Sequence, residues 1–326
     1  MKIIKTSSMQ KRKNLILENT KIRNLVRKYL IFLILIVLLI VGHLSDPMFI
    51  TLRNQKNIML NFSVPFILSI GQTMVILTGG IDLSIGSVVS LTGVTLAFIL
   101  PKTGILLGVI IVLLMGGAIG ALNGYIISRF KILPFLVTLS SMIVYEGLAF
   151  IVTGSVPVPI TIPAFYKIDY GSIFGVIPLP VIYSAITFIL SVIFLNYHVI
   201  GRRVYQLGND EKTAKLAGIK VNRLKIGIYM LNGFIAAFCG IIVASRIKLG
   251  APTAGKGFLF DSIAAVCLGG TSLMGGQGGV IGTLGGMLLM VNLKNILVLN
   301  DVSIYIQDAI RGVIILISVI ALSKAR

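Results

Sequence analysis

The sequence predicts an all-α, polytopic membrane protein with about ten transmembrane segments, some of them broken or re-entrant. Three observations predict it. Only 12% of the 326 residues are charged and 56% are hydrophobic, whereas a soluble domain carries about 25% charged residues. Mean hydropathy is +1.01. Apolar runs recur along the chain at lengths near the ~20 residues that a bilayer core requires.

Residues 1–28 come first, with nine Lys or Arg against one acid, Glu18. This reads as a basic cytoplasmic tail held near anionic lipid. Nucleic acid is not expected as a partner despite the net charge of +19, because no aromatic-interleaved patch or binding motif accompanies the charge. Residues 29–326 form the transmembrane domain. Its expected spans are 30–48, 58–78, 84–100, 105–128, 133–153, 178–198, 224–246, 259–273, 279–298 and 304–322. The first is an anchor that stays, since no small-residue cleavage site follows it.

Loop charge orients these spans. With a cytoplasmic N-terminus, the inside regions hold the tail's nine basic residues, two at Arg129 and Lys131, seven in 199–225, and two at Lys324 and Arg326. Seven fall outside, and Lys294 and Arg311 fall within spans. That distribution follows the positive-inside rule and places both termini in the cytoplasm.

Between the second and third spans lies Leu77-Thr78-Gly79-Gly80-Ile81-Asp82-Leu83-Ser84-Ile85-Gly86-Ser87. A carboxylate at such a break is costly in hydrocarbon and points to a function, since irregular backbone at membrane depth needs protein or water around it. An ordinary polar turn at the bilayer surface is the competing reading. Asp82 precedes Ser84-Ile85-Gly86-Ser87-Val88 much as Asp261 precedes Ser262-Ile263-Ala264-Ala265-Val266. The two segments run in opposite senses, the arrangement an inverted 5+5 repeat produces. Chance matching of small residues competes with that reading.

Gly116, Gly117, Gly120 and Gly124, and later Gly282, Gly285 and Gly286, line small residues along helix faces, which lets backbones approach closely. Loop 154–177, with Pro157, Pro159 and Pro163, reads as a stiff connector or an external docking surface rather than a domain. In loop 199–225, Asn209 is a helix N-cap, and Asp210 and Glu211 complement the helix dipole. Gly218 closes the helix in a left-handed cap. Ala214 and Ala217 then present a small-residue face suited to a partner's groove.

Several chemistries have no support. Gly250-Ala251-Pro252-Thr253-Ala254-Gly255-Lys256-Gly257 has the phosphate-loop skeleton but ends in Gly where Mg²⁺ needs a hydroxyl. It reads as an external loop. No hydrolase triad, metal cluster or cofactor site is expected, and no residue is read as catalytic. Cys239 and Cys267 are packing residues, and His43 and His198 are interfacial. Asp308 and Arg311 have the spacing of a helical ion pair. Glu146 stands mid-span, either in a helix–helix hydrogen bond or on a pathway.

The break closely resembles the signature of the membrane permease subunits of ribose-type ABC importers. Gly208-Asn209-Asp210-Glu211 with Ala214 and Ala217-Gly218-Ile219 is similar to their coupling loop. Pro252-Thr253-Ala254-Gly255 through Asp261-Ser262-Ile263-Ala264-Ala265-Val266 to Leu268-Gly269-Gly270-Thr271-Ser272-Leu273 and Gly275-Gly276 resembles a further block, in family order. The resemblance covers roughly residues 45–322.

It implies a permease homodimer in the bacterial cytoplasmic membrane, a cytoplasmic ABC ATPase subunit, and an extracytoplasmic sugar-binding protein. It implies ATPase coupling through Asn209, Asp210, Glu211, Ala214, Ala217 and Gly218. Gly79, Gly80, Asp82, Ser84, Gly86, Asp261 and Thr271 become pathway or helix-break residues. Energy would come from another chain, and Asp82 would cap exposed backbone N–H groups rather than carry a proton. The sugar is not specified; relatives of this fold also carry autoinducer-2 or nucleosides. Sequence physics alone also allows an ion-coupled secondary transporter using Asp82 and Asp261.

Overall fold

The structure is a computed structural model that describes residues 31–173, 175 and 177–323. The basic tail 1–28, Lys324 and Arg326 lie outside the described residues.

Helix α1 (Ile31–Ser45) is followed by a 3₁₀ turn, Pro47–Ile50, and then α2 (Leu52–Leu77). Every residue of α2 from Ser63 to Leu77 is buried, because α9, α6, α11 and α10 surround it. A helix apolar on all sides belongs at the centre of a bundle.

Helix α3 (Ile85–Phe130) is two arms, since Gly104 takes φ 75° and ψ 173° in its middle. A Cβ built on Gly108 lies 3.4 Å from Leu100 Cδ2, which requires the chain to reverse there. Leu96, Leu100 and Val112 share one apolar cluster as a result. Then come α4 (Pro134–Thr153), α5 (Pro163–Tyr170), α6 (Leu179–Tyr197), α7 (Val199–Asn209), α8 (Glu211–Leu216) and α9 (Val221–Ile247). The chain finishes with α10 (Phe258–Leu268), α11 (Val280–Leu299) and α12 (Ile304–Ser323). Among the described residues, six helices are long and apolar enough to cross a membrane: α2, α3, α4, α6, α9 and α11.

The glycine stripes pack as expected. A Cβ on Gly116, Gly120 or Gly124 would strike the backbone of α9 at Gly233, Tyr229 or Ile226, and one on Gly286 would strike Ala265 of α10.

Three expectations change. Segment 259–273 is not a span: α10 has 11 residues and is about 16 Å long, against ~30 Å of hydrocarbon. Segment 248–257 is not a free loop, for it packs along the first arm of α3. Gly250 packs on Gly93, Val94 and Ala97, and Gly255 packs on Gly86. Loop 154–177 is more than a bare connector. Its β1 (Val158–Pro159) pairs antiparallel with β4 (Leu249–Gly250), and β2 (Ser172–Ile173) with β3 (Ile177–Pro178). Phe165 of α5 is fully buried, and Asp169 pairs with Arg246 of α9 at 3.0 Å.

The two breaks meet inside the bundle. The Gly255 N–H donates to Ser90 Oγ at 2.8 Å, bringing 248–257 against the start of α3. From that meeting point the first arm of α3 runs toward β1 and β4, while α10 runs toward the loop that touches α7.

Candidate functional site

The first candidate region is the 78–84 break. Gly79 turns the chain with φ 79°, a conformation glycine adopts without steric cost. Gly80 lies against the Tyr229 hydroxyl, which a Cβ would strike. Asp82 is buried, at 2% exposure. Its Oδ1 accepts from the Ser84 backbone N–H at 2.9 Å and from Ser84 Oγ at 2.6 Å. Its Oδ2 accepts from Asn232 Nδ2 at 2.9 Å. The carboxylate thus closes the turn that starts α3 and ties it to α9, where three donors meet a single acceptor group.

The network continues outward. Asn123 Nδ2 donates to Ser84 Oγ at 3.1 Å, and Ser141 Oγ donates to Asn123 Oδ1 at 2.7 Å. One polar chain thereby joins both arms of α3 with α4 and α9. Sequence reasoning missed Asn123, Ser141 and Asn232. The signal was there, since a lone Asn inside an apolar run is costly without partners. Asn232 Oδ1 and both amide atoms of Gln72 are buried without a hydrogen-bond partner among the described residues.

Asp261 is placed elsewhere. It sits in the first turn of α10 and takes Arg311 Nε of α12 at 3.2 Å, while Arg311 Nη2 reaches Asp308 at 3.1 Å. The expected Asp308–Arg311 pair is thus present and shared with Asp261. Gly86 packs so closely that a Cβ would lie 2.8 Å from the Gly255 carbonyl oxygen. Thr271 is buried and its Oγ accepts from the Gly279 N–H at 3.1 Å, closing the loop between α10 and α11. Glu146 is partly exposed on α4 and has no partner among the described residues.

The second candidate region is the α7–α8 elbow. The N-cap of α8 is Asp210, not Asn209, because α7 extends through Asn209. The Asp210 carboxylate accepts from the Lys212 and Thr213 N–H groups at 3.0 and 3.1 Å and from Thr213 Oγ. Those bonds, the Thr213 hydroxyl foremost, hold its pKa below the ordinary carboxylate value. Glu211 is held low as well, by Lys215 at 2.5 Å and Lys225 at 2.7 Å. Gly218 closes α8 with φ +78°, as expected.

The expected small-residue face is divided. Ala214 is buried against Leu207, Ile219 and Val221 and so holds α8 down. Ala217 is exposed, beside Leu216 at 90% exposure. The exposed tip is therefore Leu216, Ala217 and Gly218.

The two regions are mechanically joined. Gly208, near the end of α7, fits between the Leu77 carbonyl and the Gly276 N–H, where a Cβ would strike both. The Gly276 N–H donates to Leu77 O at 3.0 Å. A rigid shift of α8 thus reaches the end of α2, where the first break starts, and the loop that follows the second half-helix.

Residues 54–319 match the model of the family described as branched-chain amino acid transport system / permease component. The ribose import permease protein of Escherichia coli (strain K12) is 40% identical over 297 residues, which cover 89% of this chain and 92% of the relative. The ribose import permease protein of Bacillus subtilis (strain 168) is 37% identical, covering 89% and 90%. The L-arabinose transport system permease protein of Escherichia coli (strain K12) is 34% identical, covering 90% and 89%. No solved structure matches the chain.

Proposed function

The chain belongs to the branched-chain amino acid transport system / permease component family, and from that premise we propose that it is the membrane permease subunit of an ATP-binding-cassette importer for a monosaccharide such as ribose. It is a multi-pass protein of the bacterial cytoplasmic membrane, with both termini and the α7–α8 elbow on the cytoplasmic side. A separate ATPase subunit binds the exposed tip of α8, a sugar-binding protein delivers solute from outside, and two permease copies form the pathway. The single observation that carries the coupling role is Gly208 locked between Leu77 and Gly276, beneath a capped helix whose Leu216 tip touches nothing.

In this mechanism ATP binding on the partner moves α8 as a rigid unit, since Asp210 caps it and Glu211 and Ala214 fix it to α7 and α9. Gly208 passes the movement to α2 and to the 269–279 loop. Both breaks then shift together and the pathway changes the side on which it opens. Hydrolysis reverses the shift.

An ion-coupled secondary transporter is not favoured. Asp82 already accepts from three donors and Asp261 is held by Arg311, so neither is poised to exchange a cation. The test is reconstitution with the partner ATPase and binding protein. Uptake of D-ribose or another monosaccharide should require ATP, and Leu216→Asp should abolish uptake while the assembly's permease keeps wild-type thermal stability. Uptake driven by an ion gradient without ATP would overturn the reading.

A further inference from the structure

A cavity of about 280 Å³ lies among α2, α10, α11 and α12, outside the Asp82 network and the α7–α8 elbow. Its polar wall is formed by Asn61, Asp261, Lys294, Gln307 and Arg311, and Phe258 contributes an apolar face.

Asn61 and Lys294 are both exposed; Asn61 has no hydrogen-bond partner among the described residues, and the Lys294 ammonium makes no direct contact but lies close enough to Asp261 for its charge to act on that carboxylate. Yet both lie within helices long and apolar enough to cross a membrane, α2 and α11. An ammonium or an amide facing lipid there would be costly, whereas a water-filled cavity accommodates both. The remaining charges balance locally: Arg311 holds Asp261 and Asp308, and the adjoining Arg246 is taken by Asp169.

We propose that this cavity is a hydrated subsite for a neutral, polyhydroxylated solute on its way through the protein, an inference that rests on the importer reading above. Hydroxyl groups both donate and accept. The Asp261 oxygen that Arg311 leaves free accepts, the Lys294 ammonium and the Asn61 amide donate, and Phe258 packs on a C–H face. The volume lies just below the range of small-ligand pockets, roughly 300–1,000 Å³, and suits one sugar ring. Asp261 also places the cavity at the start of the half-helix behind the second break, the position where transporters with broken helices hold solute.

Two measurements on the complete reconstituted assembly test this. In ATP-driven uptake of D-ribose, Asn61→Leu and Lys294→Met should each raise the apparent KM about tenfold while the ATPase rate is retained. An Asn61→Cys variant should react with a membrane-impermeant thiol reagent, and D-ribose should slow that reaction. The native Cys239 and Cys267 are buried and do not compete. Unaltered KM in both variants, or a thiol at position 61 that sugar does not protect, overturns the subsite and leaves the importer reading standing. Absence of ATP dependence in the wild type overturns the importer reading instead. The labelling arm then still decides whether sugar occupies the cavity.

Discussion

Replacing Asp82 in two ways separates a structural carboxylate from one that carries charge. In Asp82→Ala the Ser84 N–H and Asn232 Nδ2–H lose their acceptor in a site with 2% exposure, while the Ser84 hydroxyl can rotate elsewhere. Each buried unsatisfied donor costs about 1–3 kcal/mol, so the loss is roughly 2–6 kcal/mol. In Asp82→Asn the new Oδ1 still accepts from Ser84, but its amide N–H₂ then faces the Asn232 N–H₂. Asn232 resolves that clash by turning its amide, because its own Oδ1 has no partner in the wild type. The expected cost falls to about 1 kcal/mol, near that of one ordinary hydrogen bond. Thermal unfolding in detergent and ATP-driven uptake would be measured side by side. The Ala variant should lose several degrees of stability and most uptake, and the Asn variant should keep most of both. Abolished uptake in Asp82→Asn at wild-type thermal stability would refute the capping argument and return a proton or ion to this site.

Other expected outcomes follow from the same geometry. Gly208→Ala forces a methyl group onto the Leu77 carbonyl and Gly276; overpacking of this kind costs about 1–3 kcal/mol, read as a lower unfolding temperature and weakened coupling of ATP hydrolysis to uptake. Asp210→Ala removes the α8 cap and should speed amide hydrogen exchange at Lys212 and Thr213, leaving α9 unchanged. Asp210 and Glu211 both titrate below their ordinary values. Their stabilisation is therefore fully present above the unfolded carboxylate pKa and is lost as pH falls through the folded one. Exchange protection of α8 should be flat across neutral pH and fail only under acid conditions. Arg246→Ala leaves the buried Asp169 without its cation, a change of roughly 3–5 kcal/mol for buried pairs, and adding Asp169→Asn should recover part of the lost thermal stability.

The spans were readable because lipid imposes length and apolarity on every crossing segment. Asp82, Gly79 and Gly86 stood out because a carboxylate and glycines have no reason to interrupt such a segment. Asp210 and Gly218 follow from capping chemistry, which acts within four residues. Asn209 was taken as the cap because Asn and Asp are equally good capping residues, and only the length of α7 decides between them.

Much else was not local. Asn123 and Asn232 stand out as polar residues in apolar helices, but their partners come together only when α3 folds back at Gly104 and packs on α9. The Pro252 block resembles a loop until its glycines are seen against Gly86, where close backbone approach forces the path. Loop 154–177 gained structure from a strand pairing more than 80 residues away, Val158 with Gly250, for which no local periodicity exists. The sequence by itself determined the class and the position of the 78–84 break, because those depend on composition over one or two turns. The tertiary structure alone decided that the two breaks meet, that Asp82 is held by three donors while Asp261 is held by Arg311, and that Gly208 joins α8 to both. Those facts depend on contacts between residues far apart in the chain, which pattern and propensity do not encode.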